Sequence, residues 1–255
     1  MGLQNEIKIQ KLLQKWPQGT VAMTSWLESL GISRQLQKKY VESQWIKSLA
    51  RGAYKKTGDN VSWQGGLYAL QMQASILVHV GALTALSMQG MAHYIRLGKE
   101  RIFLLSPPRT TLPSWFRNHD WQQPVKHIKT SVLPEGLGLT DYEEKTFSIK
   151  ISSPERAMLE CLQLAPRELD LVECYQVMEG LTNLRPKKLQ ELLEKCSSIK
   201  VKRLFLYMAE KTGHQWMQFL NVSKLNLGKG DRAIVENGVY ISKYHISIPK
   251  ELANS

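Results

Sequence analysis

Arg34, Gln35, Lys38 and Lys39 crowd into one short segment whose side chains suit nucleic-acid chemistry. Arginine can bridge O6 and N7 of guanine, and glutamine N6 and N7 of adenine. Both arginine and lysine also neutralise phosphates. Projected as a helix at about 100° per residue, the segment places Leu36 and Tyr40 on one face. Arg34, Gln35, Lys38 and Glu42 fall on the opposite face, with Lys39 on the flank. A recognition helix in the major groove needs this division, an apolar face to anchor it and an outward face to reach base edges. Arg34, Gln35 and Lys38 are expected to face bases, and Lys39 a phosphate. Just downstream, Arg51, Lys55 and Lys56 are placed to bind phosphate or the minor groove. About five phosphate contacts would give a log–log salt slope near −4.5.

Other reactive residues form no recognisable constellation. Leu227-Gly228-Lys229-Gly230-Asp231-Arg232 is glycine-rich but lacks the phosphate-loop spacing, and reads as a tight turn. His79, His93, His119, His127, His214 and His245 show no metal-ligand spacing. Neither a nucleophile elbow nor a carboxylate pair is evident, so no enzyme activity, metal or cofactor is expected. Cys161, Cys174 and Cys196, an odd set outside any CxxC pattern, read as buried apolar residues on helices in a reducing compartment.

The elements that must position the basic face are legible. Ile9, Leu12, Leu13 and Trp16 give a first helix, ended by Pro17-Gln18-Gly19. A second helix is expected from an N-cap at Thr24 or Ser25 to Gly31, and a third from Ser33 to about Gln44. Trp45–Leu49, a turn at Ala50-Arg51-Gly52 and Ala53–Lys55 make a hairpin. Helix, helix, helix and hairpin are the order of a winged helix-turn-helix. The polar break Thr57-Gly58-Asp59-Asn60 marks a boundary, giving a DNA-binding domain over 1–60 and a larger mixed α+β domain over 61–255. In the latter, helices are expected at 66–75, 82–89, 154–164, 168–179, 186–196 and 201–211, and strands at 101–105, 125–131 and 146–151. Pro154 and Pro186 suit first helical positions. Asn237-Gly238 signals a closing hairpin between 232–235 and 239–248.

Charge agrees with this division. The 255 residues carry a net +12, and residues 1–60 hold ten Lys/Arg against four Asp/Glu, a net +6. Concentrated positive charge points to a polyanion, here double-stranded DNA. No apolar run approaches the roughly 20 residues of a membrane span, and no secretory h-region opens the chain. A cytoplasmic protein without a membrane partner is expected.

Several blocks taken together resemble the AbiEi family, the antitoxins of type IV toxin–antitoxin (abortive infection) systems. They are Arg51-Gly52-Ala53-Tyr54, Gly65–Leu70, His79–Leu86 with Gly90, His93 and Tyr94, and Leu112–Phe116. Further blocks are Ile151–Ala157, Leu184-Arg185-Pro186, Lys200–Leu206 and Tyr244–Pro249, so the likeness spans nearly the whole chain. The resemblance implies a winged helix that represses its own operon at inverted repeats. It also implies a C-terminal antitoxin domain that counters a cognate nucleotidyltransferase-like toxin without a stable complex. Lys187, Lys188, Lys200, Lys202 and Arg203 would form a second basic surface for nucleic acid, or solvated helix faces. A stand-alone winged-helix transcription factor with a ligand-sensing or dimerising C-terminal domain is the alternative. An enzyme targeted to nucleic acid by its winged helix is the third reading.

Overall fold

Of the stripe predicted at Ile9, Leu12, Leu13 and Trp16, Ile9 and Leu12 are buried on the first helix, α1 (Leu3–Lys15), Trp16 is buried just past its end, and Leu13 is half-buried. The computed structural model describes residues 3–92 and 101–254, so His93 and Tyr94 lie outside the described residues. A two-residue strand, β1 (Ala22–Met23), leads into α2 (Thr24–Ser29) and α3 (Arg34–Glu42). Gly31 turns the chain between these helices at φ +77°, a conformation that disfavours any residue with a Cβ. Ser33 then caps α3, its hydroxyl accepting from the Leu36 amide at 3.3 Å. The cap expected for α2 at Thr24 or Ser25 is corrected. Both residues are inside the helix, and extended Met23 precedes it with no side-chain cap.

The wing follows as β2 (Ile46–Ala50) and β3 (Ala53–Lys56), joined at Arg51-Gly52 with Gly52 at φ +83°. β1 pairs with the other edge of β3, giving the order β1-β3-β2. Ile9, Leu12, Trp16, Leu27, Leu36, Tyr40 and Ile46 form one core beneath these elements. This is the winged helix-turn-helix that the residue pattern predicts.

The chain continues as α4 (Trp63–Tyr68), a π-helical turn at Ala69–Gln73, β4 (His79–Val80), α5 (Ala82–Met88) and β5 (Ile102–Ser106). Next come α6 (Ser114–Arg117), β6 (Val125–Lys129), β7 (Leu139–Glu143) and β8 (Ser148–Ser152). Four helices follow, α7 (Pro154–Leu164), α8 (Leu171–Gly180), α9 (Pro186–Lys195) and α10 (Ile199–Thr212). The described chain closes with β9 (Arg232–Ala233), β10 (Val239–Ile241), β11 (Ile246–Ile248) and α11 (Lys250–Asn254). Besides the wing there are a five-stranded sheet, β6-β5-β4-β8-β7, and a small one, β10-β11-β9. The α+β class is as expected.

Contacts divide the chain into two compact units. One comprises Met1–His79, Arg109–Val125 and Asp141–Lys150, and the other Val80–Pro108, Lys126–Thr140 and Ile151–Ser255. In the first, Gln73 of the π-turn donates to the Val21 carbonyl at 2.7 Å and accepts from the Met23 amide at 2.9 Å, tying the turn to β1. Gly65 permits another close approach, since a Cβ there would lie 1.9 Å from the Gly19 carbonyl oxygen. The polar break is also fastened, with Asp59 accepting from the Gly19 amide at 2.7 Å.

In the second unit α7 and α10 are buried along most of their length, with Glu155, Arg156, Glu160, Lys202 and Arg203 buried among their apolar residues. Pro154 and Pro186 occupy the first turns of α7 and α9 as expected. Cys161, Cys174 and Cys196 are free and buried. The closing hairpin is corrected. β9 does not pair with β10 across Asn237-Gly238 but runs parallel to β11, and the tight turn is Ser242–His245. Gly238 serves a close approach instead, because a Cβ there would meet the Ile248 carbonyl oxygen at 2.5 Å.

Candidate nucleic-acid interface

α3 presents the two faces its spacing predicts. Leu36, Gln37 and Tyr40 are buried, and Arg34, Gln35, Lys38 and Lys39 are exposed. Burial pushes the Tyr40 phenol up from its ordinary value. Gln37, whose inward role the polar pattern did not reveal, donates to the Ile32 carbonyl at 2.9 Å and fixes the turn ahead of α3. Arg34 meets Glu28 at 2.9 Å and Lys38 lies 3.9 Å from Glu42. Both cations have 79% of their side-chain surface exposed, so these pairs contribute under about 1 kcal/mol and give way readily to a stronger anion.

The wing divides differently from expectation. Arg51 stands exposed at its tip. Lys47 is exposed on β2, opposite Lys55, while its neighbour Ile46 is buried. Lys55 and Lys56, expected to reach DNA, direct their ammonium groups to protein acceptors. Lys55 donates to the Asp59 carbonyl at 3.1 Å. Lys56 donates to the Leu13 carbonyl at 2.9 Å and lies 5.9 Å from the Trp16 ring centroid. Burial lowers the Lys56 pKa, against a smaller opposing effect of Asp59. These two lysines fasten the wing.

The second basic surface is also corrected. Lys187 and Lys188 are exposed at the start of α9, on the rim of an open groove of about 1060 Å³ that includes Trp216 and Phe219. Lys200 is half-buried and donates to the Gln163 and Ala165 carbonyls at 2.9 and 2.6 Å. Lys202 and Arg203 are only 3% and 2% exposed. Arg203 donates to the carbonyls of Leu227, Gly228, Gly230 and His245. The glycine-rich turn therefore offers its oxygens to an arginine. Lys202 and Arg203 are withdrawn from the surface because α10 is buried throughout Val201–Ala209.

Two of the histidines make local hydrogen bonds. His127 shares a 2.7 Å hydrogen bond with Ser106, and burial first, then Lys129, lowers its pKa. His214 meets the Met178 carbonyl at 2.8 Å. Among the described residues no group of three or more His, Cys, Asp or Glu could hold a metal ion. No helix among them is long and apolar enough to cross a membrane.

Residues 5–97 match the family model described as transcriptional regulator, AbiEi antitoxin N-terminal domain. Residues 99–249 match that described as transcriptional regulator, AbiEi antitoxin, type IV TA system. No curated protein matches the chain. Among solved structures, the RV2827C protein from Mycobacterium tuberculosis is similar, with a TM-score of 0.57 at 13% identity. That alignment covers 93% of this chain and 88% of the other. At such identity the likeness concerns the fold alone.

Proposed function

Because the chain belongs to the AbiEi antitoxin family of type IV toxin–antitoxin systems, a family of transcriptional regulators, we propose that it represses its own operon and counters the toxin encoded beside it. Repression acts through inverted repeats in the promoter, and the toxin is nucleotidyltransferase-like and held in no stable complex. The observation that carries the DNA-binding step is the exposed face Arg34, Gln35, Lys38 and Lys39 on a helix anchored by buried Leu36 and Tyr40.

In this reading α3 lies in the major groove. Arg34 exchanges Glu28 for a guanine edge, Gln35 reads adenine, and Lys38 lies beside them. Lys39, Lys47 and Arg51 hold phosphates that fix the register. Three such contacts give a log–log salt slope of about −2.7. Mobility shifts on the DNA upstream of its own gene, run across a salt series, test this step. Binding that weakens with salt and prefers that DNA over a scrambled duplex is expected, and salt-independent or absent binding rejects it.

The antitoxin step has its own test. Co-expression with the neighbouring gene product is expected to restore growth while the two proteins fail to co-purify. Persistent growth arrest with both proteins soluble removes the antitoxin assignment and leaves a stand-alone regulator.

A further inference from the structure

Three lysines outside the recognition helix and wing share one ridge of α1. Lys8, Lys11 and Lys15 recur at i, i+3 and i+7, within about 60° of one another around the helix axis, and all are exposed. Ile9, Leu12 and Trp16 occupy the adjoining stripe and are buried, which fixes the direction of the ridge. The segment Ile7–Lys15 holds these three cations and no acid. A face kept soluble by mixed charge would alternate signs, whereas this one is of a single sign.

The position of the ridge gives it a use. It borders a hollow of about 120 Å³ lined by Lys8, Lys11 and Lys15 together with Leu12, Leu30 and Ile32. Leu30 and Ile32 belong to the turn that runs directly into Ser33 and Arg34. The cations therefore flank the end of α3 that carries Arg34 and Gln35. Seven residues of helix span about 10.5 Å, and one strand of B-DNA presents a phosphate about every 3.4 Å along its axis. The ridge matches a run of about three phosphates.

We propose that Lys8, Lys11 and Lys15 form a phosphate track that grips the duplex backbone beside the groove entered by α3. This inference rests on the DNA-binding reading of the winged helix and deepens it. The track carries no sequence information. It supplies affinity and salt dependence, while Arg34 and Gln35 supply preference. With it the expected salt slope steepens from about −2.7 to about −5.4.

The test uses the full-length protein and the triple variant Lys8→Gln/Lys11→Gln/Lys15→Gln. Each is titrated with salt on the duplex upstream of its own gene and on a scrambled duplex of equal length. The variant is expected to lose about 2.7 from the magnitude of the slope, to weaken on both duplexes alike and to keep its preference ratio. Superimposable slopes for variant and wild type overturn the track while leaving the DNA-binding reading intact. Absence of salt-sensitive binding by the wild type overturns that reading, and the track with it. Thermal melting checks the fold of the triple variant. Should it be unfolded, single Lys→Gln variants, each expected to lose about 0.9 of slope, decide the matter.

Discussion

Arg185 clasps Glu155 with two parallel hydrogen bonds, Nε to Oε1 at 2.9 Å and Nη2 to Oε2 at 3.0 Å. The Arg185 amide donates to the same carboxylate at 2.9 Å, and the Ser153 hydroxyl at 2.8 Å. This fork joins the residue before α9 to the first turn of α7, where a negative charge also suits the helix dipole. Glu155 itself is 1% exposed, so its charge depends on these donors.

Acid stability is the first consequence. Burial pushes the Glu155 carboxyl upward, but the Arg185 side chain, its amide and Ser153 outweigh that and hold it at about 2. A carboxylate depressed in the folded state stabilises the fold fully above its unfolded pKa and loses that contribution as pH falls through the folded one. The window here runs from about pH 4.5 down to 2, and the contribution is about 3 kcal/mol. Urea melts are expected to show wild type losing stability steeply across that window and Glu155→Gln, already weaker at pH 7, losing much less. Parallel acid limbs for the two proteins would remove Glu155 from the account.

Arg203 leads to a second prediction, of structural damage without a specific loss of binding. Its guanidinium supplies four carbonyls from two segments, Leu227 to Gly230 and His245. Arg203→Met would leave those buried oxygens without their donor and is expected to cost about 3 kcal/mol or more. Arg203→Lys should recover only part, because an ammonium cannot span the fork. Calorimetry reads the cost. A stable Arg203→Met protein with lost DNA affinity would restore the residue to the binding surface.

The same residues show which features can be read from sequence. Local periodicity and punctuation dictate α1, α3 with its Ser33 cap, the Gly31 turn and the prolines opening α7 and α9, because each depends on neighbours within a few positions. Charge is less transparent. Lys187 and Arg203 are equally basic letters, yet one is solvated and the other is buried against carbonyls 24 to 42 residues away in the chain. Lys56 likewise finds its acceptor at Leu13, 43 residues back. The Asn237-Gly238 signal misled for a related reason. A glycine that allows a strand to approach and one that allows a turn look alike until pairing is known. Of the candidate interface, the helix face was legible and half of the wing was not.

Wing lysines give a third prediction, separating fastening from contact. Lys56→Met removes the hydrogen bond to the Leu13 carbonyl and the contact over Trp16, and is expected to cost about 1–2 kcal/mol of stability. Arg51→Ala, at an exposed tip, should leave the melting temperature within a degree or two and reduce the salt slope by about 0.9. The two variants therefore move different observables. A Lys56→Met protein as stable as wild type but weaker on DNA would return Lys56 to the contact set.

Arg34 and Gln35 supply the sharpest prediction, since both project from the first turn of α3 and neither supports the core. Arg34→Ala is expected to weaken binding to the promoter duplex by about 1–3 kcal/mol while changing affinity for scrambled duplex far less. Gln35→Ala should relax the preference at a different base pair, which single-base substitutions through the binding site would locate. Lys39→Ala, a phosphate contact on the flank, should weaken all duplexes about equally and leave their ranking unchanged. Fold is not at stake in any of the three, because the Glu28 pair lost with Arg34 is a surface pair contributing under about 1 kcal/mol. If all three variants lowered affinity by the same factor on every duplex, α3 would be a backbone-binding element, and the reading of bases would have to be sought elsewhere on the winged helix.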